Sequence, residues 1–154
     1  MKRRFFENAQ MLFRDFSGVG TKKYPANGRR SFCIKLTDEQ ANEMAAEGWN
    51  VKMTKSENPE YPPEAYIKVN VSYAISAPTI YVVNGNTRTA ITEETVSTLD
   101  GLNSTNIEYI DATVDGSLSP DRPKMSAYLK TLYIKYKPDP IEAKWAAFDN
   151  YGDE

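Results

Sequence analysis

Apolar and polar residues alternate most cleanly from Tyr66 to Tyr73. Ile67, Val69, Val71 and Tyr73 share one face, and Tyr66, Lys68, Asn70 and Ser72 the other. A period of two predicts a half-buried antiparallel strand. Met11, Leu12 and Phe13 lie in a β-prone run, and Phe32, Ile34 and Leu36 alternate with Ser31, Cys33 and Lys35. Val51 to Thr54 reads as a short strand. Pro78 opens another at Thr79 to Val83, which turns at Asn84-Gly85-Asn86 toward a hairpin partner at Arg88 to Ile91. Ile107 to Val114 places Ile110, Ala112 and Val114 inward, and Ser126 to Tyr136 is the last and longest strand.

Helical signals are fewer. Thr37-Asp38-Glu39-Gln40 has the spacing of a capping box, with two acids in the first turn where the helix dipole favours them. Ala41, Met44, Ala45 and Gly48 fall on one face, and Gly48 suits the stop, so the spacing predicts a helix over 38–47. Trp49 follows as a packing anchor. A second short helix is expected from Thr92 through Leu99. Residues 1–10 read as a mobile start merging into the first strand. Residues 56–64, with three prolines and three glutamates, read as an exposed loop, and residues 115–123 as a long, mobile one.

Seven or eight short strands with one or two short helices predict a mainly β fold, an OB-like open Greek-key barrel. A β-sandwich is the alternative. We expect one domain over 1–137, followed by an acidic tail over 138–154. In that tail Asp139, Glu142, Asp149, Asp153 and Glu154 face a single base, Lys144, and Trp145 and Phe148 sit on an expected helical turn.

Composition narrows the chemistry. The chain of 154 residues has no His and one Cys. No Ser-His-Asp or Cys-His site can be assembled, and zinc fingers and His-ligated metals are excluded. An internal disulfide is impossible, and Cys33 is expected to pack as a small apolar side chain. The chain is expected to carry no cofactor and to be no enzyme. No apolar run reaches the roughly 20 residues of a membrane span, and the start lacks a signal-peptide core, so the expected location is the cytoplasm without membrane contact.

The net charge of −2 hides an asymmetry. Residues 1–35 hold nine Lys or Arg against two acids, and residues 36–154 hold ten against nineteen. The basic excess centres on the connection between Phe13 and Ser31, which carries Lys22, Lys23, Arg29 and Arg30, with Tyr24 among them and Arg14 and Phe16 at its entrance. Gly18, Gly20, Pro25, Asn27 and Gly28 make it a loop. Cations interleaved with aromatics suit a single-stranded nucleic acid, because cations neutralise phosphates and flat rings stack on any base. A solvated basic hairpin would have the same composition. The run Gly18-Val19-Gly20-Thr21-Lys22 lacks the spacing of a phosphate loop.

Tyr66, Tyr81, Tyr109 and Tyr128 fall on strands that also carry Lys68, Lys130 and Lys135, so a stacking surface is expected on the barrel's outside. The same rings would also cap a core with their hydroxyls wet. The candidate DNA-binding set is therefore Arg14, Phe16, Lys22, Lys23, Tyr24, Arg29, Arg30, Tyr66, Lys68, Tyr81, Tyr128 and Lys130. Asp111 and Asp115 would share a strand face near Glu108, the basis of a less favoured Mg²⁺-nuclease reading.

Several stretches resemble a family of bacteriophage proteins. These are Asn8 to Gly18 (NAQMLFRDFSG), Asn27 to Cys33 (NGRRSFC), Gly48-Trp49-Asn50-Val51-Lys52, Tyr66 to Tyr73, Leu99-Asp100 and Ala127 to Tyr133. The family is described as phage single-stranded DNA-binding proteins of OB type. Asp15 stands where the family pattern has Asn, the spacing around Asn27 to Arg30 is compressed, and the tail lacks the terminal aromatic that some phage binders carry. The resemblance implies a viral replication or recombination protein that coats single strands. Replication or recombination proteins are expected to meet the acidic tail, and a homo-oligomer is an option that the sequence leaves open. A β-rich virion or assembly protein is the second reading.

Overall fold

The computed structural model describes residues 2–23, 25–55, 60, 62–74 and 77–137. The expected loop at 56–64 lies partly outside these residues, and the expected tail at 138–154 entirely so.

Among the described residues, nine strands form one sheet. They are β1 (Lys2–Ala9), β2 (Met11–Asp15), β3 (Arg30–Lys35), β4 (Val51–Met53), β5 (Ala65–Val71), β6 (Thr79–Asn84), β7 (Thr87–Ile91), β8 (Ile107–Ser117) and β9 (Ser126–Tyr136). One helix, α1 (Asp38–Glu47), lies between β3 and β4. The main ladder runs β1-β8-β9-β5-β3-β2, with β4 on β5 and the β6–β7 hairpin on β9. Only Gln10 separates β1 from β2, and its carbonyl accepts from Lys35 N–H at 2.9 Å. The two ends of the ladder therefore meet in the chain rather than through hydrogen bonds, giving an OB-like open barrel.

Strand β9 holds the halves together. It pairs antiparallel with β8 along its length, and parallel first with β5 at Ala127 and Tyr128, then with β6 from Thr131 to Lys135. The period-two patterns supply the core. Ile67, Val69 and Val71 of β5, Ile110, Ala112 and Val114 of β8, and Leu132 and Ile134 of β9 are all buried. The helix starts as expected, since Thr37 Oγ1 accepts from Gln40 N–H at 3.1 Å and Gln40 Oε1 accepts from Thr37 N–H at 2.9 Å. Gly48 ends it in the left-handed region at φ +96°, a conformation that a side chain would strain. Trp49 is 1% exposed and Cys33 is buried, both as expected.

Three expectations are corrected, the first at Asp115 to Ser117, which were expected in a long loop but continue β8 and pair with Ser126 to Tyr128 of β9. Residues 2–9 are not a mobile start but a paired strand, held to β8 from Lys2↔Gly116 to Ala9↔Ile110 and anchored by buried Phe6. Its charges are used in that docking. Arg3 pairs with Asp115 at 2.6 Å, and Arg4 reaches Glu43 at 2.8 Å and Glu47 at 3.1 Å on α1. The expected helix from Thr92 to Leu99 is instead a 3-10 segment at Val96–Gly101, which buries Val96 and Leu99.

Candidate nucleic-acid interface

Because Ile67, Val69 and Val71 point into the core, Tyr66, Lys68 and Asn70 stand on the outside of β5. Register then fixes their neighbours. Lys52 of β4 lies opposite Tyr66, Cys33 of β3 opposite Lys68, and Ser31 and Tyr128 on either side of Asn70. The Asn70 amide donates to Ala127 C=O at 3.1 Å, bridging the short β5–β9 ladder.

A groove of about 570 Å³ runs over this face. Five cations line it, Arg29, Arg30, Lys52, Lys68 and Arg122, against one acid, Glu93. Tyr73 and Tyr128 supply rings at its wall, and Tyr128 is 40% exposed. The ion pairs found among the described residues engage other cations, namely Lys2, Arg3, Arg4 and Lys35. The five groove cations therefore raise a local positive potential despite the negative total.

The connection between β2 and β3 is latched at its base. The Asp100 carboxylate accepts from Phe16 N–H and Ser17 N–H, each at 2.8 Å. Arg14 donates to Leu102 C=O at 2.6 Å and to Ser104 Oγ at 3.0 Å. Arg30 Nε donates to Phe16 C=O at 3.1 Å, and its guanidinium lies over the Tyr73 ring, 5.6 Å from the centroid. Gly28 N–H donates to Gly18 C=O at 2.9 Å. A Cβ on Gly18 would sit 2.8 Å from the Gly28 carbonyl carbon, so this close approach requires glycine. The loop thus leaves the sheet along a fixed path and delivers Arg29 and Arg30 to the groove.

Against the sequence reading, Phe16 cannot stack on a base. It is 0% exposed and stacked on Phe32 at 5.5 Å. Arg14 stands at the loop's entrance as expected, but it is half-buried and its guanidinium is spent on bracing the segment after Asp100. Of the other candidates, Arg29, Arg30, Lys68 and Tyr128 line the groove, and Tyr66 lies on the same face. Lys22 and Lys23 are exposed on the loop beyond it, and Tyr24 lies outside the described residues. Tyr81 is elsewhere, stacked on Tyr133 at 5.4 Å with Arg88 over its ring at 4.6 Å. Lys130 sits exposed where the β8–β9 register slips. The sequence reading missed Lys52, Asn70, Tyr73 and Arg122. Lys52 was detectable as the outward residue of a three-residue strand, whereas Arg122 sits in a proline-flanked loop with no periodic signal.

Asp111 and Asp115 do share a face, but protein groups engage both. Asp111 accepts from Asn8 N–H at 2.9 Å, and Asp115 is held by Arg3. The Arg3 hydrogen bond pushes the Asp115 carboxyl below its usual range. No group of three or more metal-ligating side chains occurs among the described residues.

A family model described as "Putative phage ssDNA-binding domain" matches residues 1–153. The chain belongs to this family. No curated protein matches it. For this phage ssDNA-binding domain, the motif Arg14-Asp15-Phe16-Ser17-Gly18 and the pair Leu99-Asp100 build the latch. The stretches Asn27 to Cys33 and Tyr66 to Tyr73 build the groove. No helix among its described residues is long and apolar enough to cross a membrane.

Proposed function

We propose that this domain coats single-stranded DNA without regard to sequence, without catalysing a reaction, in support of phage DNA replication or recombination in the host cytoplasm. The observation that carries this reading is the groove with five cations, one acid and an exposed tyrosine. Arg29, Arg30, Lys52, Lys68 and Arg122 meet phosphates along it. Lys22 and Lys23 extend the contact past its edge. Tyr128 and Tyr66 offer rings to bases, which have a π-face whatever their identity. Duplex DNA is a poorer fit, because its bases are already stacked and its rings are closed to the tyrosines. The acidic residues after 138 offer a contact for basic replication or recombination proteins.

The test is a tyrosine fluorescence titration with oligo-dT and with duplex, at low and moderate salt and without metal. Quenching by oligo-dT alone, weakening with salt and leaving the oligonucleotide intact, is the expected result. No response to either ligand refutes the reading and favours a virion or assembly role. Degradation of the strand on adding Mg²⁺ favours a nuclease.

A further inference from the structure

Phe13 has an unusual backbone. Three residues other than glycine adopt positive φ among the described residues, Asn8 at 51°, Phe13 at 48° and Asn27 at 54°. Asparagine tolerates the left-handed region because its short polar side chain bonds locally, but a bulky aromatic does not. Phe13 also sits where the β2–β3 register slips, between Leu12↔Cys33 and Asp15↔Ser31. A bulge re-aims a side chain. Here the ring is 63% exposed and meets Tyr66 edge-on, with centroids 5.5 Å apart and planes at 71°. Tyr66 is followed on the same outer face by Lys68 and flanked by Lys52, two of the groove cations.

Strain at a non-glycine residue persists only where something over-determines it, and it concentrates at binding sites. Packing does not account for it at Phe13, because the core receives Phe16 and not this ring. We propose that Phe13 is a base-stacking residue of the single-strand site, with its ring held out by the bulge and braced by Tyr66. This rests on the single-strand reading above. It places a stacking station at the Tyr66 end of β5, with Lys68 and Asn70 between it and Tyr128. A strand threading the face would then lay its phosphates on Lys68 and Lys52 while one base leaves the backbone to cover Phe13.

The decisive variant is Phe13→Gly, since glycine accepts φ near +48° without strain. Binding of oligo-dT is expected to fall about 5-fold to 150-fold, the range for one stacked base. The thermal midpoint is expected to stay level or rise. Phe13→Trp is expected to restore binding and to add fluorescence that oligo-dT quenches. A purely structural Phe13 gives the reverse, a lower midpoint with unchanged affinity, which overturns the assignment. If the wild-type protein binds oligo-dT and Phe13→Gly matches it, this assignment alone fails. If the wild-type protein does not bind oligo-dT, the single-strand reading fails and this assignment with it.

Discussion

Replacing Lys52 and Lys68 together by alanine removes two of the five groove cations and leaves the loop intact. Both are exposed on strands, so the stability cost is expected to stay within about 0.5 kcal/mol. For a single strand, log K falls with log salt by about 0.7 for each phosphate neutralised. Five contacts give a slope of about −3.5, and three give about −2.1. Between about 50 and 200 mM salt the wild type then loses about 130-fold in affinity, and the double variant only about 18-fold. The assay is fluorescence anisotropy of a labelled oligo-dT at four or more salt concentrations, with circular dichroism melts as a folding control. An affinity loss with the wild-type slope would mean that the two lysines act on the fold and not on phosphates. An unchanged affinity and slope, with a flattened slope for Lys22→Ala plus Lys23→Ala, would move the phosphate track out to the loop.

Three further outcomes follow from the geometry. Asp100→Ala removes both acceptors from the loop base and is expected to cost about 2 kcal/mol in urea unfolding. It should also weaken oligo-dT binding non-additively with Arg30→Ala, and additive effects would uncouple the latch from the groove. Gly116→Ala puts a Cβ 2.7 Å from the Trp49 ring, which is packed in the core, so overpacking of about 1–3 kcal/mol is expected in the same assay; a neutral result would mean that the ring has room to shift. The Asp115 carboxyl is lowered chiefly by its Arg3 hydrogen bond, so its contribution to stability is full above its ordinary value of 3.8 and is lost as pH falls through the lowered one. Arg3→Ala should therefore lower the melting midpoint at neutral pH and leave a smaller difference from wild type at acid pH. A difference that grows on acidification would refute the pairing.

The long strands were legible because one face of each is buried. On β5 and β8 alternation alone assigned the buried residues Ile67, Val69 and Val71 and Ile110, Ala112 and Val114, and the capping box and Gly48 gave α1 as 38–47. Local rules failed where a distant partner decides the conformation. Lys2 to Ala9 carries four charges and one buried residue, Phe6, and reads as a loose start until β8, more than a hundred residues later, supplies its ladder. The exchange between Phe13 and Phe16 has a similar cause. Alternation cannot register a bulge, so the aromatic expected to meet solvent was buried and the one assigned to a plain strand was turned out. The groove itself gathers side chains from the β2–β3 loop, β4, β5 and the segments around Glu93 and Arg122. No window of sequence contains that set.

The pairing of β1 with β8 also governs how the chain is made. At about 5–20 residues per second, a ribosome needs roughly 6–23 s to synthesise the stretch between Lys2 and its partner Gly116. Throughout that interval Phe5 and Phe6 belong to a strand with no mate, a segment open to pairing with the wrong chain. Lys2, Arg3 and Arg4 stand at its head and act as gatekeepers, since like charges hold neighbouring nascent copies apart. Once β8 and α1 exist, the same three cations find Glu47, Asp115 and Glu43. The repulsion that protected the unfinished chain is then converted into the contacts that fasten its first strand.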